Sequence, residues 1–185
     1  NIYDRGNEGN TRFRNRRARL DIRGVLEDHF EYRLFTQFAG SAANLQEAWL
    51  MYKYFPQARI KFGQFKVPFS LESQYSSLWT DFVEKSLGVG NLEPAEDLGI
   101  MLYGNPFRGA VEYAVGAFNG RARVLDDNND NFDLAGRLVL APFKEAQLEA
   151  LREFYVGGSA TLGHSDETLA STGFTTAGGS RFLTY

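Results

Sequence analysis

Arg17-Ala18-Arg19-Leu20-Asp21-Ile22-Arg23 alternates a charged side chain with an apolar one at every step. Successive side chains of a β-strand point to opposite faces, so a strand with this sequence has one charged face and one apolar face. The segment therefore predicts a strand that lies between a polar and an apolar environment.

The same two-residue period recurs along most of the chain. Further predicted strands lie near residues 30–38, 47–54, 58–62, 97–102, 111–116, 133–140 and 155–162. We expect the strand that begins at Ala58 to end at Gly63, because the chain then runs to Pro68, which has no backbone donor for an interior ladder. Together these segments predict about eight strands in an all-β fold. They form one domain over residues 1–185.

The predicted connections alternate in length along the chain. Short connections lie at Glu27-Asp28, at Phe55-Pro56-Gln57 and at 104–109, whereas long ones cover 66–96, 119–131 and 164–180. One connection on the short side, 143–154, has a helical pattern. Short turns at one end and long loops at the other are typical of a transmembrane antiparallel β-barrel of the outer membrane.

The long loop 66–96 carries more apolar residues than a loop that extends into water. Leu71, Tyr75, Leu78 and Phe82 recur in it at helical spacing. We expect this loop to fold into the barrel and to narrow it.

Composition excludes several other classes of protein. The chain lacks the run of about 18 apolar residues that a transmembrane helix needs. It contains no Cys, which excludes a disulfide scaffold and a thiolate metal site. Its net charge of -3 provides no overall basic field for nucleic acid. The chain opens on polar residues rather than on a signal peptide, as expected of a mature secreted chain.

Motifs of enzymes are weak in this sequence. His29 and His164 lie far apart, without the spacing of a metal site, and no Gly-x-Ser-x-Gly elbow occurs. The acidic run 126–131 lacks the regular ligand spacing of a calcium loop, so a solvated loop is the better interpretation. We predict no catalytic residue, no cofactor and no metal site.

Seven basic residues are candidates for an ion pathway. They are Arg17, Arg19, Arg23, Arg33, Arg59, Lys61 and Lys66. One interpretation is the solvated face of an ordinary antiparallel sheet, with Asp21, Glu31 and Glu47 as cross-strand partners. The other is an electropositive wall around a water-filled lumen, where the forked donors of a guanidinium group match phosphate oxygens.

Aromatic residues are common near the predicted strand ends. They include Tyr52, Tyr54, Phe55, Phe62, Phe65, Phe69, Tyr103, Phe107, Phe118, Phe143 and Tyr155. One interpretation is a soluble core. The other is an aromatic girdle, in which amphipathic rings lie at the headgroup level of a membrane.

The segment Gly63-Gln64-Phe65-Lys66-Val67-Pro68-Phe69-Ser70-Leu71-Glu72 closely resembles a signature of the phosphate-selective outer-membrane porins, the porin O and P family. Weaker similarities occur in the expected order along the chain. They lie at 16–20 with Gly24 after them, 45–50, 82–86, 97–99, 118–120 and 136–137 before Pro142. The resemblance implies a trimeric, sixteen-stranded barrel with a constriction loop, here 66–96, and with basic residues along the ion path. It therefore favours the lumen interpretation of the seven basic residues.

The resemblance also implies a function. It suggests a porin of the bacterial outer membrane, a passive channel for small anions such as phosphate, with outer-membrane lipid and a homotrimer as partners and no nucleic acid. A closed eight-stranded barrel is filled by its own side chains, so we expect this chain to form the N-terminal half of a larger barrel. The alternatives are a small closed barrel with a structural or adhesion role, and a soluble β-barrel that binds a ligand.

Overall fold

A computed structural model of the chain describes residues 18–38, 43–74, 86, 93–120, 131–147, 149–163, 174–175 and 181–183. The strands are β1 Arg19–Leu26, β2 Phe30–Gln37, β3 Asn44–Phe55, β4 Ala58–Lys66, β5 Glu96–Gly104, β6 Val111–Phe118, β7 Asp133–Leu140, β8 Val156–Leu162, β9 Phe174–Thr175 and β10 Arg181–Leu183. Two short α-helices, α1 Leu71–Gln74 and α2 Glu149–Arg152, and a 3-10 turn, Phe107–Gly109, complete the described elements.

Strands β1 to β8 form one antiparallel sheet in which each strand pairs with the next along the chain. This confirms the all-β prediction and the eight strands, and β9 pairs separately with β10. Among the described strands, β1 and β8 each have a single neighbour, so the sheet is open. No described helix combines the length and the apolarity needed to cross a membrane.

The prediction that the fourth strand ends at Gly63 is wrong. β4 continues to Lys66, and Gly63 pairs with Trp49 on one side and with Gly99 on the other. Gly63 has φ 117°, a conformation that residues with a side chain rarely adopt, and a Cβ there would collide with the backbone of Ala48. The glycine therefore lets the strand pass close to β3 instead of ending it.

The connections sort by length as the sequence predicts. Tight turns at 27–29 and 56–57 and the short segment 105–110 lie at one end of the sheet, which we call the short-turn end. Glu27 and Asp28 have φ 49° and 59°, so the first turn uses two left-handed residues. The segment between β7 and β8 also lies at this end and contains α2.

The strand register divides the side chains between two faces. Residues paired with one another point to the same side of a sheet, so the alignment Arg19 with Gln37 and Asp21 with Phe35 extends from strand to strand. We call the face that carries Arg19 the polar face and the face that carries Leu20 the apolar face. The apolar face includes Leu20, Ile22, Leu34, Leu50, Ile60, Phe62, Ile100, Leu102, Val115, Leu134, Leu138 and Val156.

The two faces differ in burial in the opposite sense to a water-soluble protein. Most large side chains of the apolar face are exposed, among them Leu20, Ile60 and Ile100. Most buried strand residues have the register of the polar face, including Met51, Met101 and Glu47, whereas Gln64 is buried on the other face. A contiguous exposed apolar surface of this kind requires a lipid or protein environment. It is also the reverse of a soluble ligand-binding barrel, whose apolar face would point inward.

The core of the described residues forms on the polar face of β4 to β7. Phe65 and Phe118 are each 1% exposed and meet edge to face, with 5.5 Å between ring centroids. Val67, Met101 and Ala135 complete this cluster, which we call the packed wall. The ring of Phe118 lies over Gly99 and Gly116, where a Cβ would meet it.

The rings assigned to the girdle or to a core divide by exposure, and their position in a membrane stays a prediction. Tyr52, Tyr54 and Phe55 are exposed near the short-turn end, and Phe107 is 77% exposed in the turn after β5. For Phe65 and Phe118 the girdle interpretation is wrong, because both rings are buried in the packed wall. Tyr103 also differs, since its register places it on the polar face.

Candidate functional site

The structure brings five of the seven predicted pathway residues onto one face. Arg19, Arg23, Arg33, Arg59 and Lys61 all have the register of the polar face. Lys66 has the register of the opposite face at the end of β4, and Arg17 lies outside the described residues. The role of these residues in ion passage stays a prediction.

Arg33 is the centre of an ion-pair network on the first three strands. Its Nε and Nη2 donate to the two oxygens of Asp21 at 2.9 and 3.0 Å, and its Nη1 donates to Glu47 Oε2 at 2.8 Å. Asp21 also accepts from Arg23 at 2.6 Å. Such bidentate, charge-assisted bonds fix the plane of the guanidinium group. The cross-strand partners that the sheet interpretation proposed are thus present for Arg33.

Glu47 links this network to an aromatic ring. The side chain of Glu47 is buried, and besides Arg33 it accepts a hydrogen bond from Trp49 Nε1 at 2.9 Å. A buried carboxylate needs such partners, because an unpaired one would be strongly destabilising. We call the polar face of β1 to β3 the charged wall; its charged members are Arg19, Asp21, Arg23, Glu31, Arg33, Glu47 and Lys53.

Two further ion pairs lie on the polar face. Lys53 Nζ is 3.4 Å from Glu31 Oε2, and Arg137 Nη1 donates to Glu112 Oε1. Lys53 and Arg137 were not among the seven predicted pathway residues. Both lie in predicted strands, and the two-residue period assigns both to the polar face.

Arg59 and Lys61 are held differently, by the faces of aromatic rings. Lys61 Nζ lies 4.4 Å from the ring centroid of Trp49, 5.2 Å from that of Tyr103 and 5.4 Å from that of Phe65. The guanidinium group of Arg59 lies 5.7 Å from the Tyr103 ring. Ring faces attract cations through their quadrupole and do not cancel the positive charge.

The segment after β4 folds back onto the packed wall. Val67 is buried among the residues of that wall, and Lys66 Nζ donates to the carbonyl of Ser73 at 2.7 Å. Gln74 Nε2 donates to the carbonyl of Val67 at 2.8 Å, so α1 is tied to the end of the strand. The described part of the predicted constriction loop is therefore anchored against the polar face.

A cavity of about 560 Å³ lies next to this segment. Its lining includes Phe69 and Ser70 from the loop, Arg137 and Ser159 from the polar face of β7 and β8, and Lys144 from the short-turn end. Phe69 and Ser70 follow β4 at the long-loop end of the sheet, yet they border the same cavity as Lys144 at the short-turn end. The loop base extends along the polar face rather than away from it.

The comparison with family models agrees with this architecture. The model of the phosphate-selective porin O and P family matches residues 1–175 of the 185-residue chain. The chain belongs to this family. No curated protein and no solved structure matches it.

Membership of the porin O and P family gives the two faces a meaning at the level of the family. A porin of the outer membrane presents its apolar face to lipid and its polar face to a water-filled lumen. The family is one of channels, not of enzymes. Within the described residues, no group of three or more side chains could hold a metal ion, and most of the acidic run 126–131 lies outside them.

Proposed function

We propose that this chain forms part of a passive outer-membrane channel for small anions, with phosphate or polyphosphate as preferred solutes. The observation that carries the proposal is the inverted arrangement of the sheet. Its exposed face is apolar over all eight paired strands, and most of its charged residues share the opposite face, with Lys66 and Glu96 at the end of β4 and the start of β5 as exceptions. A surface of this kind separates lipid from water.

The mechanism is electrostatic attraction along the polar face. Arg19, Arg23, Arg33, Arg59 and Lys61 would form a series of weak anion contacts. Arg17 and Lys66 stay proposed members of the pathway, Lys66 at the end of β4. Conduction requires contacts that are strong enough for an ion to enter and weak enough for it to leave. The ion pairs of the charged wall support this balance, because each carboxylate reduces the field of its cationic partner.

A complete barrel is part of the proposal. An open sheet edge in lipid would leave backbone groups without partners, which membranes do not tolerate. We therefore propose that β1 and β8 pair with further strands of a sixteen-stranded barrel, of which this chain is the N-terminal half. Three such barrels would form a homotrimer in the bacterial outer membrane, with lipid against the apolar face.

The loop 66–96 would narrow this channel. Val67 anchors its start on the packed wall, and a hydrogen bond from Gln74 to Val67 ties α1 to the end of β4. Replacing residues 70–92 of the complete barrel by a short Gly-Ser linker should raise the single-channel conductance. An unchanged conductance in a correctly folded variant would show that the loop does not form the constriction.

Planar-bilayer recording tests the function itself. The complete barrel should give discrete conductance steps, and a salt gradient should give a reversal potential of the sign expected for anions. Added phosphate should reduce the chloride current if it binds along the lumen. A cation-selective channel would contradict the proposal.

A small closed barrel with a structural or adhesion role is the second candidate. The ion pairs favour it, because Asp21, Glu47, Glu31 and Glu112 neutralise cations that a channel could use. Among the described strands, β1 and β8 do not pair with each other, which weighs against a closed eight-stranded barrel. Correctly folded protein that gives no conductance steps would support this candidate over the channel.

A further inference from the structure

Six of the seven cations on the polar face of the described strands fall into two groups, and the seventh, Arg19, donates to Gln37. Arg23, Arg33, Lys53 and Arg137 each lie within salt-bridge distance of a carboxylate. Lys61 and Arg59 have no carboxylate at that distance among the described residues, and both lie on β4. The four paired cations face four carboxylates, those of Asp21, Glu31, Glu47 and Glu112. The excess positive charge of this set therefore lies on β4.

Lys61 is the more strongly enclosed of the two. Three rings surround its ammonium group at 4.4 to 5.4 Å, yet Lys61 Nζ donates no hydrogen bond to any described residue. An ammonium group has three N–H donors, and ring faces do not compete for them as oxygen acceptors do. The donors stay available for the oxygens of an anion.

Each of the three rings has its own support. Trp49 Nε1 donates to Glu47, which Arg33 holds in place. The Tyr103 hydroxyl donates to the sulfur of Met51, and Phe65 packs edge to face on Phe118. The charged wall and the packed wall thus both position the rings around Lys61.

We propose that Lys61, with Arg59 beside it, is the anion-selecting contact of this half of the lumen, and that the paired arginines of the charged wall mainly position it. The inference rests on the proposed channel function and assigns selectivity within it. The carboxylates that act on Lys61 from a distance, Glu47 and Glu31, are already engaged by Arg33 and Lys53. The ligand class is a small oxyanion such as inorganic phosphate.

The test compares one unpaired charge with one ion pair. In the complete barrel, Lys61→Met keeps an unbranched apolar stem among the rings and removes the charge. Loss of a unit charge at contact distance should lower the anion-to-cation permeability ratio by about fivefold. The same variant should weaken the block of chloride current by inorganic phosphate. Lys61→Arg keeps the charge and should retain most of both properties.

The matched control is the double variant Glu112→Gln with Arg137→Gln, an ion pair on the polar face outside the charged wall. It removes a neutral pair from the same face and should leave the permeability ratio and the phosphate block near their original values. Heat-modifiable migration on gels verifies that each variant is folded. If Lys61→Met does not fold, Arg59→Gln decides the test, because it removes the neighbouring unpaired charge and should lower the ratio.

The experiment distinguishes failure of the proposed channel function from failure of the assignment to Lys61. If the unmodified barrel is not anion-selective, the proposed function fails. If the unmodified barrel is anion-selective, but Lys61→Met and Arg59→Gln leave both measurements unchanged, the assignment to β4 is overturned and the channel function stands. A large effect of the neutral-pair control would likewise contradict the inference, because it would place selectivity on a paired cation rather than on β4.

Discussion

The charged wall and the packed wall share one face of one sheet but fill it in opposite ways. On β1 to β3, Arg33 and its carboxylate partners form a network of ion pairs. On β4 to β7, Phe65 and Phe118 are buried against each other and against Val67 from the loop. The polar face of one sheet is therefore not uniform. Its first strands carry a network of charged side chains, whereas its later strands form a dry core that anchors the start of the loop.

The packed wall should give the largest loss of stability when it is truncated. Phe118→Ala removes a ring that is 1% exposed and leaves a cavity beside Gly99 and Gly116, so the free energy of unfolding of the complete barrel should fall by about 3–5 kcal/mol. Urea titration in lipid vesicles measures this change. Phe62→Ala on the apolar face is the control, and its loss should be smaller because lipid can fill the space. Equal losses would mean that the packed wall is not a packed core.

The charged wall should be less costly to disturb. Glu47→Gln keeps an acceptor for Trp49 but removes the charge that pairs with Arg33, which still has Asp21. We expect a loss of about 1–3 kcal/mol in the free energy of unfolding and a stronger preference for anions. The stability is measured by urea titration and the preference by reversal potential.

The exposed pair of Arg108 and Glu145 is the control for that prediction. Its N···O distance is 3.2 Å, and both side chains are largely exposed in the short-turn region. Glu145→Gln should therefore change the free energy of unfolding by less than about 0.5 kcal/mol. A similar cost for the two substitutions would show that the charged wall is as accessible to water as that turn.

The smallest effect is expected on the apolar face. Leu20→Met replaces one lipid-facing side chain by another of similar volume, so the free energy of unfolding should change by less than about 0.5 kcal/mol. The anion-to-cation permeability ratio should not change. A measurable shift in that ratio would place Leu20 on the ion path and reverse the assignment of the two faces.

The sequence predicts the strands and their faces because a two-residue period directly records which side meets lipid. The face of Phe65 was missed for a specific reason. If the strand ended at Gly63, the face of later residues could not be assigned from the two-residue period. The strand in fact continues to Lys66, and its register places Phe65 on the polar face. An aromatic residue near a strand end can therefore be assigned to the girdle or to the core only when the strand bounds are known.

The contacts of the candidate site could be predicted only in part. Asp21, Glu31 and Glu47 were foreseeable partners because opposite charges recur on neighbouring strands. The bond from Arg33 to both Asp21 and Glu47 depends on the register of three strands, which the pattern does not fix. The rings around Lys61 depend on that register too, since Trp49, Phe65 and Tyr103 lie on three different strands.

Cysteine accessibility tests the central claim most directly, because the chain contains no Cys of its own. Single variants Leu20→Cys, Asp21→Cys, Ile22→Cys and Arg23→Cys in the complete barrel would be treated in lipid with a charged, membrane-impermeant thiol reagent. We expect the variants at 21 and 23 to react and their conductance to change, whereas those at 20 and 22 stay unmodified. Reaction at 20 and 22 with protection at 21 and 23 would contradict it, because the apolar face would then border water.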